Sequence, residues 1–158
     1  MHKLWYPLTV CLMAGSLFAA DPFAGTWKVD IAKAKYSGPD KPPKEATVVI
    51  EEHGDQVAVS VKGTGADGSP ISVKYTVVRT GGEAAKFSEG GPPAGVSVVY
   101  AKKKADARSL DTTTTRDGKV IETGHGAVSA DGKTFTITSK GTDPQGKAFE
   151  TVQVYERQ

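Results

Sequence analysis

Few residues of this chain have the side chains that acid–base or metal chemistry requires. Cys11 is the only cysteine, and it lies in an apolar leader, so the rest of the chain has neither a catalytic thiol nor a thiolate metal ligand. His53 stands beside Gly54 in a turn and is interpreted as a solvated turn residue. His125 is flanked by glycines as Gly124-His125-Gly126, a pattern that leaves room for a ligand or for another strand, or that marks a sharp bend of a closing sheet.

No catalytic constellation emerges from these residues. A nucleophile needs a base within hydrogen-bond reach, and the chain carries no Gly-x-Ser-x-Gly, His-Glu-x-x-His or phosphate-loop motif. The run from Asp111 to Thr115 is threonine-rich, which suits a strand and also offers hydroxyl groups to a ligand. We therefore expect a protein that is not an enzyme and has no metal or cofactor.

The charge balance argues against nucleic acid as a partner. The formal net charge is only +2, whereas nucleic-acid binding needs a clustered basic surface. Lys102-Lys103-Lys104 is the basic run beyond the leader, and it is interpreted as a solvated strand end that discourages edge pairing.

The N-terminus has the order of an export signal. Met1 to Lys3 is basic, Leu4 to Phe18 is largely apolar, and Ala19-Ala20 supplies small residues. The apolar run is shorter than the ~20 residues of a membrane span. We expect a signal peptide at 1–20, cleaved after Ala20 or within about two residues of it, and a single domain at 21–158. The mature protein would be periplasmic or extracellular.

Beyond residue 44 the apolar residues alternate with period two, which is typical of strands with one buried face. Asp-Gly pairs such as Asp117-Gly118 and Asp131-Gly132 separate the stripes and favour tight hairpins. Nine or ten short strands joined by hairpins predict an all-β barrel or sandwich with little helix.

A weak internal repeat accompanies this pattern. At an offset of 78 residues, Lys62-Gly63-Thr64 matches Lys140-Gly141-Thr142. Each copy is a strand, a loop and a return strand. Duplication and convergent hairpin chemistry explain the repeat equally well.

The two ends of the chain resemble a known group. Phe23-Ala24-Gly25-Thr26-Trp27-Lys28-Val29 is similar to the first strand of fatty-acid-binding proteins and to the Gly-x-Trp of lipocalins, and Val154-Tyr155-Glu156-Arg157 resembles their final strand. The segment from Ala32 to Ser37 resembles small exported bacterial lipocalin-like proteins. The resemblance implies an antiparallel up-and-down barrel of about 8–10 strands around a cavity. It also implies a plug made of Gly25, Trp27 and Arg157, with Arg157 stacked on Trp27.

One departure from this resemblance bears on the ligand. Fatty-acid-binding proteins hold a carboxylate with an Arg two residues before the final-strand Tyr, and here that position is Gln153. A neutral amide cannot give the bidentate charged contact of a guanidinium. We therefore expect a neutral or weakly polar ligand.

Two functions are open at this point. The first is an exported, monomeric binding protein for a small, partly apolar molecule, with polar cavity groups at Tyr75, Tyr100, His125, Gln153 and Tyr155. The second is a non-catalytic envelope interaction or inhibitor module whose barrel is filled with side chains, as small barrels often are.

Overall fold

A computed structural model of the chain describes residues 20–104 and 106–158. Within these ranges it contains twelve β-strands and no helix, and therefore no helix that could cross a membrane. The strands are β1 (Gly25–Val29), β2 (Lys35–Ser37), β3 (Glu45–His53), β4 (Gln56–Thr64), β5 (Pro70–Val78), β6 (Gly81–Ala84), β7 (Lys86–Glu89), β8 (Val96–Ala101), β9 (Ser109–Arg116), β10 (Lys119–Val128), β11 (Thr134–Thr142) and β12 (Ala148–Arg157).

The strands form one antiparallel sheet that curls into a nearly closed barrel. Its order is β6-β8-β9-β10-β11-β12-β1-β3-β4-β5-β7, and β2 pairs with β12 outside this path. Chain neighbours pair through hairpins, and the first strand lies beside the last, with Trp27 opposite Arg157. The predicted all-β antiparallel barrel is confirmed.

The barrel closes through one short segment. β6 and β7 are separated only by Ala85, yet β6 pairs with β8 and β7 pairs with β5. The chain thus changes partners at Ala85, whose N–H donates to the Val98 carbonyl at 2.8 Å. Nine longer strands match the predicted number, and the difference from twelve comes from β2, β6 and β7, which have three or four residues each.

The N-terminal segment from Asp21 to Ala24 crosses one end of the barrel. Arg157 donates to the carbonyls of Pro22 and Ala24 on one side. On the other side, Asp21 contacts Lys102, which follows β8. Trp27 is fully buried beside this segment, and its Nε1–H donates to the Phe23 carbonyl at 2.8 Å. This end of the cavity is therefore closed by an aromatic floor.

The internal repeat corresponds to two equivalent hairpins. Shifting β4 and β5 by 78 residues places them on β11 and β12. Their loops share one hydrogen-bond pattern: Gly65 N–H to Ser69 C=O and Gly68 N–H to Gly65 C=O in the first, and the residues 78 positions later in the second. As a result Tyr75 and Gln153 occupy equivalent inward positions, opposite Val59 and Ile137 respectively.

Candidate ligand cavity

The barrel encloses a cavity of about 310 Å³. Strand alternation decides which side chains reach it, because every second residue of a strand faces the interior. Apart from Tyr75, strands β3, β4 and β5 contribute an aliphatic wall, formed mainly by Val48, Ile50, Val57, Val59, Val61 and Val77. This wall is continuous with the core cluster that contains Trp27 and Phe135.

The opposite wall carries the polar groups. Strands β9 to β12 direct hydroxyl, carboxylate and amide side chains into the cavity, namely Thr112, Thr114, Glu122, Ser139 and Gln153. Glu122 forms no ion pair with the described residues. The cavity thus has one face that only apolar groups can satisfy and one face that offers hydrogen bonds.

Two tyrosines join these walls where the barrel closes. Tyr75 on β5 and Tyr100 on β8 stack with ring centroids 5.7 Å apart, and the Tyr100 hydroxyl donates to that of Tyr75 at 3.0 Å. Burial raises the pKa of Tyr75 well above that of a free phenol, and the nearby Tyr100 adds to the shift. Burial likewise raises the pKa of Tyr100. Both hydroxyls are therefore neutral hydrogen-bonding groups at neutral pH.

Gln153 is held by two further tyrosines. Its Nε2 donates to the Tyr36 hydroxyl at 2.9 Å, and the Tyr155 hydroxyl donates to its Oε1 at 2.9 Å. Tyr36 lies on β2, which pairs with β12 beside Gln153. Burial raises the pKa of Tyr155 and, to a smaller extent, of Tyr36. The position that bears Arg in fatty-acid-binding proteins is thus an uncharged hydrogen-bonded triad.

His125 lies outside this site. It faces solvent on the outer surface of β10, and its Nδ1 is 2.8 Å from a carboxylate oxygen of Asp111. Of the five candidate cavity residues, the structure brings Tyr75, Tyr100, Gln153 and Tyr155 together and leaves His125 out. The alternation of side chains along β10 explains the difference. Buried Val128 faces inward, and His125 lies an odd number of residues away, so it faces outward.

The glycines beside His125 are the residues that face inward. A Cβ on Gly126 would press on Phe135 and Leu110, at 3.1 and 3.2 Å, and one on Gly124 would collide with the Thr112 hydroxyl. Side chains of the neighbouring strands therefore fill the space that these glycines leave.

Charged residues at the floor are arranged in pairs. Lys102 Nζ lies 2.7 Å from Asp21, with side-chain exposures of only 6% and 3%, and Arg79 Nη2 lies 2.8 Å from Glu52. The interpretation of Lys102 as solvated is wrong, because inward Tyr100 two residues earlier fixes its direction. Lys103 and Lys104 are exposed as expected.

The plug residues make a compact set of contacts. The Arg157 guanidinium lies 4.1 Å from the centroid of the Trp27 ring and also donates to the Gly132 carbonyl. Gly25 has a φ of +132°, and a Cβ there would collide with Nη1 of Arg157. A side chain at position 25 would thus displace the guanidinium from the ring.

Comparison with solved structures identifies the fold. Zebrafish ileal bile acid-binding protein in complex with cholic acid matches with a TM-score of 0.53 and 14% identity, over 87% of this chain and 100% of that chain. The chain shares the antiparallel β-barrel fold of that protein. Lobster apocrustacyanin A1 follows at a TM-score of 0.46 and 12% identity, over 87% of this chain and 61% of that chain. At these identities the likeness concerns the fold alone.

No family model matches the chain, and none of the curated proteins matches it. The resemblance read from the two ends of the chain is confirmed at the level of the barrel.

Proposed function

We propose that the protein is exported and binds a small, partly apolar and non-anionic molecule. After loss of the leader, residues 21–158 form the barrel that holds this molecule. The observation that carries this proposal is the two-faced cavity. Its volume of about 310 Å³ falls at the lower end of ligand pockets, which are commonly ~300–1,000 Å³. A filled barrel would leave no such space.

The polar groups of the cavity support a ligand without negative charge. Gln153 is neutral. Of the described residues that border the cavity, the two cations already contact a carboxylate, Lys102 with Asp21 and Arg79 with Glu52. Glu122 adds a carboxylate to the lining. Because burying an anion without a cationic partner is unfavourable, uncharged molecules with a hydroxyl or carbonyl group suit the site best.

Other features agree with this function. The leader sequence supports export. The barrel shares its fold with a bile acid-binding protein solved with cholic acid, which is itself a carboxylic acid, so this likeness supports a small-molecule cavity and not the charge of the ligand. The cavity side chains that the structure describes supply hydrogen bonds and apolar contacts, and among them no nucleophile has a positioned base. We therefore propose a monomeric carrier without catalytic activity.

Displacement of Nile red, an uncharged fluorescent probe, tests the proposal. We expect saturable probe binding that uncharged lipids or aromatics displace and that oleate does not. Truncation to Tyr100→Ala should weaken probe binding. His125→Ala, on the outer surface, is the matched control and should leave it unchanged. Absence of probe binding would favour the interaction-module alternative, and mass spectrometry of the protein from its own host would identify a retained ligand.

A further inference from the structure

The backbone nitrogen of Asp21 joins two ion pairs at the floor of the barrel. It donates to Glu52 Oε1 at 2.7 Å, and the same oxygen lies 2.8 Å from Arg79 Nη2. The side chain of Asp21 contacts Lys102 Nζ at 2.7 Å and accepts a hydrogen bond from the Phe23 N–H at 2.9 Å. One residue thus connects the carboxylate of β3 to the lysine that follows β8.

This junction is largely removed from solvent. Asp21 as a whole is 5% exposed, whereas Ala20, the residue before it, is exposed. Buried charges are costly unless they are paired and hydrogen-bonded. The ion pair and hydrogen bonds therefore hold Asp21 at the barrel floor, whereas Ala20 lies in solvent.

We propose that the bond between Ala20 and Asp21 is the maturation site, and that the α-ammonium group released at Asp21 is bound by Glu52. This inference rests on export, as part of the proposed function. Hydrolysis adds water across the bond: Ala20 keeps the carboxylate, and Asp21 gains an amine that is protonated at neutral pH. An export leader peptidase is the class of enzyme that supplies the catalysis.

Cleavage at this bond completes an alternating chain of charges. The order becomes Lys102⁺, Asp21 carboxylate, Asp21 ammonium, Glu52 carboxylate and Arg79⁺, so each carboxylate lies between two cations. A charged donor forms a hydrogen bond roughly twice as strong as a neutral amide does. Cleavage after Ala19 instead would place the ammonium on exposed Ala20 and leave a neutral N–H at Glu52.

The burial of Asp21 also determines whether cleavage or folding comes first. A peptidase cannot reach a residue packed at the barrel floor, so cleavage precedes complete folding. The mature chain then folds around its own new terminus. Processing and stability are thereby coupled through Glu52.

A double-mutant cycle on the mature protein tests this proposal. Protein beginning at Asp21 and protein beginning at Ala20 are each prepared with Glu52 and with Glu52→Gln, and their urea unfolding is compared. We expect the unfolding equilibrium constant to be about 3- to 10-fold smaller for the Asp21 start, which corresponds to the extra strength of a charged hydrogen bond. The difference should vanish with Glu52→Gln. Exposed Glu51→Gln is the matched control and should preserve it.

Two results would overturn the inference: equal stability of the two starts, or a difference that persists in Glu52→Gln. N-terminal sequencing of the protein recovered from its host supplies the second measurement, with Asp21 as the expected first residue and any other start as a contradiction. Failure of the proposed function can be distinguished from failure of this inference, because Nile red binding is measured on the Asp21-start protein and does not depend on how that terminus was made.

Discussion

The hydroxyl groups of Tyr75 and Tyr100 lie 3.0 Å apart across the segment that closes the barrel. Tyr75 also packs on Phe87 of β7, with ring centroids 5.1 Å apart. Since β6 and β7 are short and pair with different neighbours, these rings supply side-chain contact between β5 and β8 where the backbone ladder is interrupted. The same pair borders the ligand cavity, so the closure of the barrel and its interior surface share these residues.

The tyrosine pair should show energetic coupling. Tyr100→Phe leaves the buried Tyr75 hydroxyl without this donor, and we expect a loss of about 1–3 kcal/mol in the free energy of unfolding. Tyr75→Phe should have a similar effect, and the double variant should lose less than the sum of the two. Urea denaturation of the four proteins measures the coupling. Strict additivity would show that the hydroxyl contact contributes nothing.

Alkaline pH should destabilise the protein through its buried phenols. Burial raises the pKa of Tyr75, Tyr100 and Tyr155 in the folded state. The folded chain therefore retains protons that the unfolded chain releases above a pH of about 10, and stability falls as the pH rises past that value. Absorbance of tyrosinate beyond the contribution of half-buried Tyr36 should therefore appear only together with unfolding.

The variants of the tyrosine pair provide the control for this pH dependence. The double variant Tyr75→Phe/Tyr100→Phe has two fewer phenols to ionise in its unfolded state, so its stability should fall less steeply above pH 10. Tyrosinate absorbance from more than one tyrosine that develops near pH ~10 in a fully folded protein would contradict the burial argument.

Trp27 should be essential to stability. It is fully buried at the closed end, between Phe135, at a centroid distance of 5.6 Å, and the Arg157 guanidinium. Trp27→Ala should cost about 3–5 kcal/mol, the range for large aromatic truncations in cores. Thermal or urea unfolding followed by circular dichroism measures this loss. An unchanged midpoint would show that the ring does not support the floor.

Gly25→Ala is a subtler test of the same plug. The new Cβ would collide with Nη1 of Arg157, so we expect a loss of stability through displacement of the guanidinium. Gly146→Ala is a control of positive φ away from the plug, since a Cβ there meets no atom within 4 Å. If both variants lose the same stability, backbone strain alone explains the effect at Gly25.

Local sequence sufficed to predict the barrel and its plug but only part of the cavity. Alternating apolar residues and Asp-Gly turns specify strands and hairpins directly, and Trp27 and Arg157 lie in the two segments with the sharpest resemblance. Glu122 was missed because inward-facing Gly124 and Gly126 interrupt the apolar alternation of β10, and the register shifts between Val120 and Glu122. Counting back from Val128 would have placed Glu122 inside and His125 outside.

The floor and the closure could not be derived from local patterns. The pairing of Asp21 with Lys102 joins residues 81 positions apart, and a lysine within a basic run carries no sign of burial. The partner change at Ala85 likewise depends on which strands lie on either side in the closed sheet. Both features follow from the curvature of the whole barrel, which alternation along single strands does not encode.

Exchange of Gln153 for arginine should convert the cavity into one that accepts a carboxylate. The side chain lies between the hydroxyls of Tyr36 and Tyr155, and both hydroxyls can accept hydrogen bonds from a guanidinium. A cation at this position removes the main obstacle to burying an anion, since charge-assisted hydrogen bonds contribute about 1.5–3 kcal/mol. We therefore expect oleate to displace Nile red from Gln153→Arg at a concentration at least about tenfold lower than from the wild type.

Two further variants make this prediction specific. Gln153→Met keeps a side chain of similar length without charge and should not improve oleate binding. Glu122 is a lining carboxylate that forms no ion pair with the described residues. Glu122→Gln in the Gln153→Arg background removes this negative charge and should strengthen oleate binding further. Equal competition by oleate in the wild type, Gln153→Met and Gln153→Arg would show that charge at this wall does not select the ligand, and the preference for a non-anionic molecule would then be wrong.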